Sequence, residues 1–146
     1  PSHPKPFEHT YTVEESFCNI AKASEAEIKL LGNTTSTLNL WHHTRPGDNF
    51  TVANLKLHGK GSFFNQRKIS PFKPAPTITA TACSYHWSEP RYLTIPEVRR
   101  LCSFPDDFIL KGNFMQQWER MGRSVPPLMM KAISAHVATE ILSCVA

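Results

Sequence analysis

Residues 91–108 read Arg-Tyr-Leu-Thr-Ile-Pro-Glu-Val-Arg-Arg-Leu-Cys-Ser-Phe-Pro-Asp-Asp-Phe and carry the clearest secondary-structure signal in the chain. Thr94 and Glu97 have the spacing of a capping box, in which each side chain accepts a hydrogen bond from the other residue's backbone N–H. Pro96 suits the first turn of a helix, and the Pro-Asp-Asp at residues 105–107 ends it. The apolar side chains of this predicted helix fall on one face, at Val98, Leu101 and Phe104.

Two further helices are predicted downstream of this segment. Asn113 and Gln116 resemble another cap, opening a helix that runs through Trp118 to Met121. The Val-Pro-Pro at residues 125–127 opens the last helix. Apolar residues recur there at steps of four and predict a stripe that faces a core, at Met129, Ile133, Val137 and Ile141.

Upstream, residues 1–11 predict an extended connector with three prolines. Thr12 and Glu15 have capping-box spacing, so a helix is expected to begin at Thr12. Ser24, with Glu27 three residues on, is a second possible start, and the Gly-Asn at residues 32–33 stops whatever helix precedes it.

Between residues 33 and 90 the helical period disappears. Residues 45–48 and 59–61 are glycine-bearing turn or loop sequences. Residues 77–83, Thr-Ile-Thr-Ala-Thr-Ala-Cys, alternate β-branched and small side chains as a strand would, and two preceding prolines indicate an edge or entry position. The fold class is therefore α+β: a small mixed β domain with irregular loops, flanked by helices.

The charge distribution favours a polyanionic partner. The 146 residues carry a formal net charge of +4, yet no acidic residue lies between Asp48 and Glu89. Each phosphate neutralised by such a segment releases counterions, so a purely basic segment suits nucleic acid, although a solvated surface gives the same pattern. The cations of this window are Lys56, Lys60, Arg67, Lys68 and Lys73.

Composition excludes several other classes of protein. Hydrophobic residues make up 40% of the chain, which is ordinary for a globular domain. Apolar runs fall far short of the roughly 20 residues that cross a bilayer, so no membrane partner is expected. The four scattered cysteines and the adjacent His42 and His43 predict neither disulfides nor a metal site. The scattered cysteines favour a reducing, cytoplasmic location.

Residues 91–105 resemble a late signature of DNA (cytosine-5)-methyltransferases, Arg-x-Leu-Thr-x-x-Glu-x-x-Arg-Leu-Gln-Gly-Phe-Pro, with Cys102 and Ser103 in place of Gln-Gly. Residues 121–127, Met-Gly-Arg-Ser-Val-Pro-Pro, resemble the family's final signature, Ile-Gly-Asn-Ser/Ala-Val-Pro-Pro. Residues 73–80 look like the Pro-x-Pro-Thr-Ile-Thr segment of its target-recognition domain. Residues 11–17 look like the helix that follows the last catalytic-domain signature. The resemblance covers nearly the whole chain, in register with the family's carboxy-terminal portion.

This resemblance implies a division into three segments. Residues 1–32 correspond to a connector and a helix of the catalytic domain, residues 33–90 to the target-recognition domain, and residues 91–146 to a helical segment returning to the catalytic domain. The flanking helices would pack on a missing S-adenosyl-methionine-dependent α/β domain. The family's Phe-x-Gly-x-Gly turn, Pro-Cys nucleophile, Glu-Asn-Val and Gln-x-Arg-x-Arg segments do not occur here. We therefore expect no catalytic residue in this chain, and no activity of the chain alone.

The resemblance also implies which residues contact double-stranded DNA. In the family two loops of the recognition domain enter the major groove while the target base is flipped out. The first corresponds to residues 59–68, where Arg67 suits a guanine and Asn65 or Gln66 an adenine. At least one of Phe63 and Phe64 is expected in the core. The second loop corresponds to residues 82–87, in which Trp87 is expected to pack. The full set of expected DNA contacts is Lys60, Ser62, Asn65, Gln66, Arg67, Lys68, Thr79, Ser84, Tyr85 and His86, with Thr79 near the DNA backbone.

Further roles follow from the two signatures. Ser124 and Val125 match positions that line the family's S-adenosyl-methionine pocket, whereas Arg123 stands where the family usually has Asn. Arg91, Glu97 and Arg100 are expected to be structural, through a buried ion pair behind a Thr-capped helix. No metal ligand is expected.

The sequence leaves several interpretations open. The first residues have neither an initiator Met nor a signal-peptide pattern, and we expect them to follow a cut within a longer chain. The chain is then an excised fragment, a truncated gene product or the second subunit of a split enzyme, and its partner is the amino-terminal catalytic portion. A stand-alone DNA-binding module without catalysis is the main alternative, and an RNA-directed relative is another.

Overall fold

The computed structural model describes residues 3–25, 27–28 and 35–144. Its elements form a small mixed domain of helices with a two-stranded sheet, in agreement with the α+β class. In chain order they are α1 (Val13–Ser16), α2 (Thr35–His43), α3 (Phe50–His58), β1 (Arg67–Lys68), β2 (Ser84–Tyr85), α4 (Ile95–Leu101), α5 (Phe114–Arg123), α6 (Pro127–Glu140) and a 3-10 turn, Leu142–Cys144. The expected stop at residues 32–33 lies outside the described residues.

Hydrogen bonds confirm the helix starts that were predicted from capping residues. The Glu15 carboxylate accepts from the Thr12 backbone N–H at 2.7 Å, and the Thr12 hydroxyl accepts from the Glu15 N–H at 3.2 Å. The same reciprocal exchange opens two later helices, at Thr94 with Glu97 and at Asn113 with Gln116. Ser24 and Glu27 also pair in this way. Because these signals act within three residues, local sequence determines them.

The prediction that the middle of the chain lacks helices is wrong. Two nine-residue helices, α2 and α3, lie there. On α3 the buried residues are Phe50, Ala53 and Asn54, which have helical spacing, but the third is polar. Its apolar neighbours Val52 and Leu55 are exposed instead. The apolar residues of α3 therefore do not all lie on its buried face, so their spacing does not predict this helix.

The predicted strand at residues 77–83 is also wrong, because regular pairing is confined to β2, which begins one residue later. β1 and β2 pair in parallel, with Arg67 opposite Ser84. Isolated antiparallel bridges add Asn49 on one side and Tyr92 on the other. The backbone of residues 79–80 instead contacts α5.

Two apolar clusters lie beside the short sheet, and the half-buried Tyr92 packs against both. The larger cluster joins α1, α4 and α5 and has Trp118 at its centre, fully buried. The smaller cluster joins α2 and α3 across Tyr85, whose ring centroid lies 4.8 Å from that of Phe50. The strands and the residues next to them, such as Ile69 and Leu93, therefore connect the flanking helices to the middle of the chain.

The apolar stripe of α6 does not face a core within the described part of this chain. No residue of α6 is buried. Met129 is 54% exposed and Ile141, which caps the helix, is 50% exposed. Two members of the predicted stripe, Ile133 and Val137, are half-buried, and the other two remain exposed. Among those residues there is also no helix long and apolar enough to span a membrane.

Candidate nucleic-acid interface

A cleft of about 250 Å³ brings together two segments that are separated in sequence. One wall is the loop that leads into β1, and the other comprises residues 76–79 with residues 83 and 84 at their side. The lining residues are Phe64, Asn65, Arg67, Pro76, Thr77, Thr79, Cys83 and Ser84. Four of the expected DNA contacts, Asn65, Arg67, Thr79 and Ser84, therefore share one cleft.

The second wall is held through its backbone by α5. The indole N–H of Trp118 donates to the Thr79 carbonyl at 2.9 Å. Gly122, one turn later on α5, lies so close that an added Cβ would be 2.2 Å from the same carbonyl oxygen. Only a glycine allows this approach. The Thr79 hydroxyl, which remains exposed, donates to the Thr81 carbonyl at 3.1 Å.

β1 positions Arg67 at the cleft. The backbone N–H of Arg67 donates to the Cys83 carbonyl at 2.9 Å, which ties the two walls together. The Arg67 side chain is half-buried and lines the cleft. Because neighbouring side chains of a strand alternate, the next residue, Lys68, points the other way.

Lys68 is therefore a correction to the expected set of DNA contacts. It is 7% exposed, and its ammonium lies 3.5 Å from the ring centroid of Trp41 and 3.3 Å from the Trp41 carbonyl. Burial lowers the pKa of this ammonium. The cation is held by an aromatic face inside the smaller cluster, so it is turned away from any duplex at the cleft.

The three residues expected to read bases from the second loop are also buried. Ser84, Tyr85 and His86 are 2%, 1% and 6% exposed. Tyr85 is part of the smaller apolar cluster, and burial raises the pKa of its phenol. In this fold Tyr85 and His86 are packing residues, and Ser84 contributes only to the wall of the cleft. Trp87 packs as expected, with its ring centroid 4.0 Å from that of His86.

A polar cluster of the buried Arg91 and Glu97 and the half-buried Glu89 packs against His86 of the second loop. Arg91 is 2% exposed and donates to the two Glu97 carboxylate oxygens at 2.9 and 2.8 Å, and to Glu89 at 2.6 Å. His86 lies at the edge of this cluster, 4.0 Å from Glu97. Desolvation, helped by the positive charge of Arg91, lowers the pKa of His86 to about 4. The buried ion pair that was predicted at the start of the Thr-capped helix is confirmed, between Arg91 and Glu97.

Arg100 likewise makes a structural ion pair. It donates to the Asp106 carboxylate at 2.8 and 2.6 Å, and also to the carbonyl of Cys18. This arrangement ties the end of α4 to the turn that follows α1.

The loop before β1 exposes most of its polar side chains. Lys60, Ser62 and Asn65 are exposed, and Gln66 is half-buried. The two phenylalanines divide as expected: Phe63 packs against the smaller cluster, while Phe64 is 66% exposed. Thr77 also lines the cleft and was not among the expected contacts, although it lies in the same Thr-Ile-Thr segment as Thr79.

The residues expected near the methyl donor lie at the carboxyl end of α5. Val125 is 49% exposed and Ser124 is half-buried, with its hydroxyl donating to the Met121 carbonyl at 2.7 Å. Arg123 pairs with Glu119 on the same helix at 2.8 Å. Burial raises the pKa of Cys102 to about 11, so that thiol is not a thiolate at neutral pH.

Comparison with known proteins identifies the family. The family model of the C-5 cytosine-specific DNA methylase matches residues 3–139. The "Putative type II methyltransferase M.MJ0563P" of Methanocaldococcus jannaschii is 33% identical over 94% of this chain and 43% of its own length. The DNA (cytosine-5-)-methyltransferase M.ApeKI of Aeropyrum pernix is 35% identical over 62% of this chain and 20% of its own. The type II methyltransferase M.AquIB of a Picosynechococcus species is 29% identical over 54% of this chain and 66% of its own.

The chain thus spans less than half the length of the first two relatives. Its match to the family model nevertheless includes the cleft, α5 and both resembled signatures. The chain belongs to the C-5 cytosine-specific DNA methylase family.

Proposed function

We propose that this chain is the carboxy-terminal, target-recognising part of a DNA (cytosine-5)-methyltransferase. The complete enzyme transfers a methyl group from S-adenosyl-methionine to C5 of cytosine in a specific double-stranded site. The observation that carries the proposal is the cleft, which collects Asn65, Arg67 and Thr79 from two separate segments. The exposed Lys60 lies on the same loop, inside the window without acids.

Each of these residue types suits a different contact with a duplex. An arginine binds the O6 and N7 of guanine through two hydrogen bonds, and an asparagine binds adenine in the same bidentate way. A lysine or a threonine hydroxyl suits phosphate oxygens, which set the position of the protein and not its sequence preference. We therefore assign base readout to Arg67 and Asn65, and backbone contact to Lys60 and Thr79. Ser62 and Gln66 flank them.

The amino-terminal catalytic portion is the second proposed partner. The exposed apolar residues of α6, such as Leu128 and Met129, are suited to pack on that portion, since exposed apolar surface marks an interaction site. Ser124 and Val125 then complete one edge of the S-adenosyl-methionine pocket, and the methyl donor supplies the transferred group. The amino-terminal portion contributes the nucleophile and the remainder of that pocket.

A labelled-methyl assay tests this division of labour. The isolated chain is expected to transfer no methyl group to mixed-sequence duplex DNA, and the amino-terminal portion added in trans is expected to restore transfer. Incorporation by the chain alone would overturn the proposed partition. No rescue, together with tight sequence-specific binding, would favour a stand-alone DNA-binding module. Transfer to RNA instead of DNA would favour the RNA-directed alternative.

Binding measurements test the assignment of individual residues. In the complete enzyme, Arg67→Ala is expected to cost about 1–3 kcal/mol on the preferred site and to relax the preference at one base pair. Lys60→Ala is the matched control from the same loop. It is expected to weaken all sequences alike and to reduce the salt slope by about one unit. Equal weakening of every duplex by Arg67→Ala would show that Arg67 contacts only the backbone.

A further inference from the structure

The loop between α3 and β1 is held in a defined conformation although its polar side chains are exposed. At its start, Gly59 adopts a left-handed φ of 66° and its N–H donates to the Leu55 carbonyl at 2.9 Å, which ends α3. At its far end, β1 is fixed to β2. The residues between these two points belong to neither a helix nor a strand.

Asn54 supports the middle of this loop from below. It is 4% exposed, and its side-chain amide donates to the Lys60 carbonyl at 2.6 Å and to the Ser62 hydroxyl at 2.8 Å. An asparagine side chain has two N–H donors, and both are used on this loop. Because burying an unpaired amide is costly, the packing of α3 and the conformation of the loop stabilise each other.

Phe63 anchors the loop beyond Asn54. Its φ is 67°, in the left-handed region that bulky residues rarely adopt. The half-buried ring packs against the smaller cluster, which consists of Leu40, Trp41, Phe50, Ala53 and Tyr85. This packing compensates for the backbone strain, and the next side chain, Phe64, turns outward to the cleft.

We infer that Asn54 is a positioning residue for DNA-sequence readout, an inference that rests on the proposed function. The side chain lies beneath the loop and does not touch DNA. It preselects one loop conformation, in which Lys60 and Ser62 are exposed and the chain enters β1 with Asn65 and Arg67 at the cleft. A loop that is already ordered loses less conformational entropy on binding, so affinity and discrimination both increase.

The first measurement concerns the loop alone and needs no DNA. In the 146-residue chain, ¹⁵N relaxation order parameters of residues 60–64 are expected to fall from about 0.8 to below about 0.6 in Asn54→Ala. Val52→Ala is the matched control, since Val52 is an exposed residue of the same helix. Ser62→Ala removes one of the two bonds from the exposed side, so it tests the same support without altering the core. Unchanged order parameters of residues 60–64 in both Asn54→Ala and Ser62→Ala would overturn the inference.

The second measurement concerns readout in the complete methyltransferase. Asn54→Ala is expected to raise the KM for DNA about tenfold while kcat stays within twofold, because the residue acts before chemistry. The ratio of affinities for the cognate duplex and for its single-base variants is expected to decrease. If the loop loosens but KM and preference are unchanged while Arg67→Ala still relaxes specificity, only the role of Asn54 fails. If Arg67→Ala is also without effect, the proposed function of the loop fails.

Discussion

Gly122→Ala is expected to destabilise the chain by about 2–4 kcal/mol. The added Cβ would lie 2.2 Å from the Thr79 carbonyl oxygen and 2.4 Å from its carbon, whereas ordinary contact begins at 3.4 Å. The backbone of residues 79–80 must therefore move by about 1 Å, and overpacking of this kind costs about 1–3 kcal/mol. The same movement breaks the hydrogen bond from the Trp118 indole to that carbonyl, which contributes about 1 kcal/mol more.

Urea denaturation of the 146-residue chain measures this cost as a shift in midpoint at unchanged slope. Gly61→Ala is the matched control, because Gly61 has an ordinary φ and the nearest atom to its added Cβ is 4.0 Å away. A loss below about 0.5 kcal/mol in Gly122→Ala would refute the reasoning, since a carbonyl at that distance cannot yield without cost. Combining Trp118→Phe with Gly122→Ala separates the steric effect from the lost hydrogen bond. If both substitutions act on the Thr79 carbonyl, their costs in unfolding free energy are not additive in the double variant.

Three further predictions concern the buried cluster and the methyl donor. Glu97→Gln removes one partner of the buried ion pair with Arg91 and is expected to lower the free energy of unfolding in urea by about 3–5 kcal/mol. Its control is Glu119→Gln at an exposed ion pair, which is expected to lower it by under about 1 kcal/mol. The pKa of His86 is lowered from 6.5 to about 4 in the folded chain. Between pH 4 and pH 6.5 the imidazole is therefore protonated in the unfolded chain and neutral in the folded one. The free energy of unfolding is expected to fall by about 2 kcal/mol from pH 7 to pH 5. Arg91, Glu97 and Glu89 face this ring, and a pH profile of His86→Gln that is equally steep in this window would contradict the assignment. Calorimetry with S-adenosyl-methionine is expected to detect weak or no binding to the chain alone, because only one edge of the pocket is present, and a low-micromolar Kd would contradict this.

The helix caps could be predicted from sequence because their hydrogen bonds span three residues. Thr12, Thr94 and Asn113 each accept from the residue three positions on, so no distant contact is needed to recognise them. The ion pair of Arg91 and Glu97 was predictable for a similar reason, since it joins residues six apart around one helix start.

The candidate site was only partly predictable, because burial depends on distant partners. Lys68 and Arg67 are adjacent basic residues, and sequence treats them alike. The structure separates them because Trp41, 27 residues earlier, covers Lys68. Tyr85 is buried against α2 and α3, and the polar Asn54 on the buried face of α3 hid the pattern of that helix.

The attachment of residues 77–80 to α5 has a consequence for how this protein changes over evolution and in the laboratory. The support acts on the Thr79 carbonyl, a group that every amino acid possesses, and not on the Thr79 or Thr77 side chain. Side chains on this wall are therefore free to be exchanged while the wall stays in place. A saturation library at Thr77, Thr79 and Asn65, with Trp118 and Gly122 left intact, would vary the chemistry of the cleft on a constant frame. If the cleft reads DNA as we propose, such substitutions are expected to change the preferred sequence while the fold is retained.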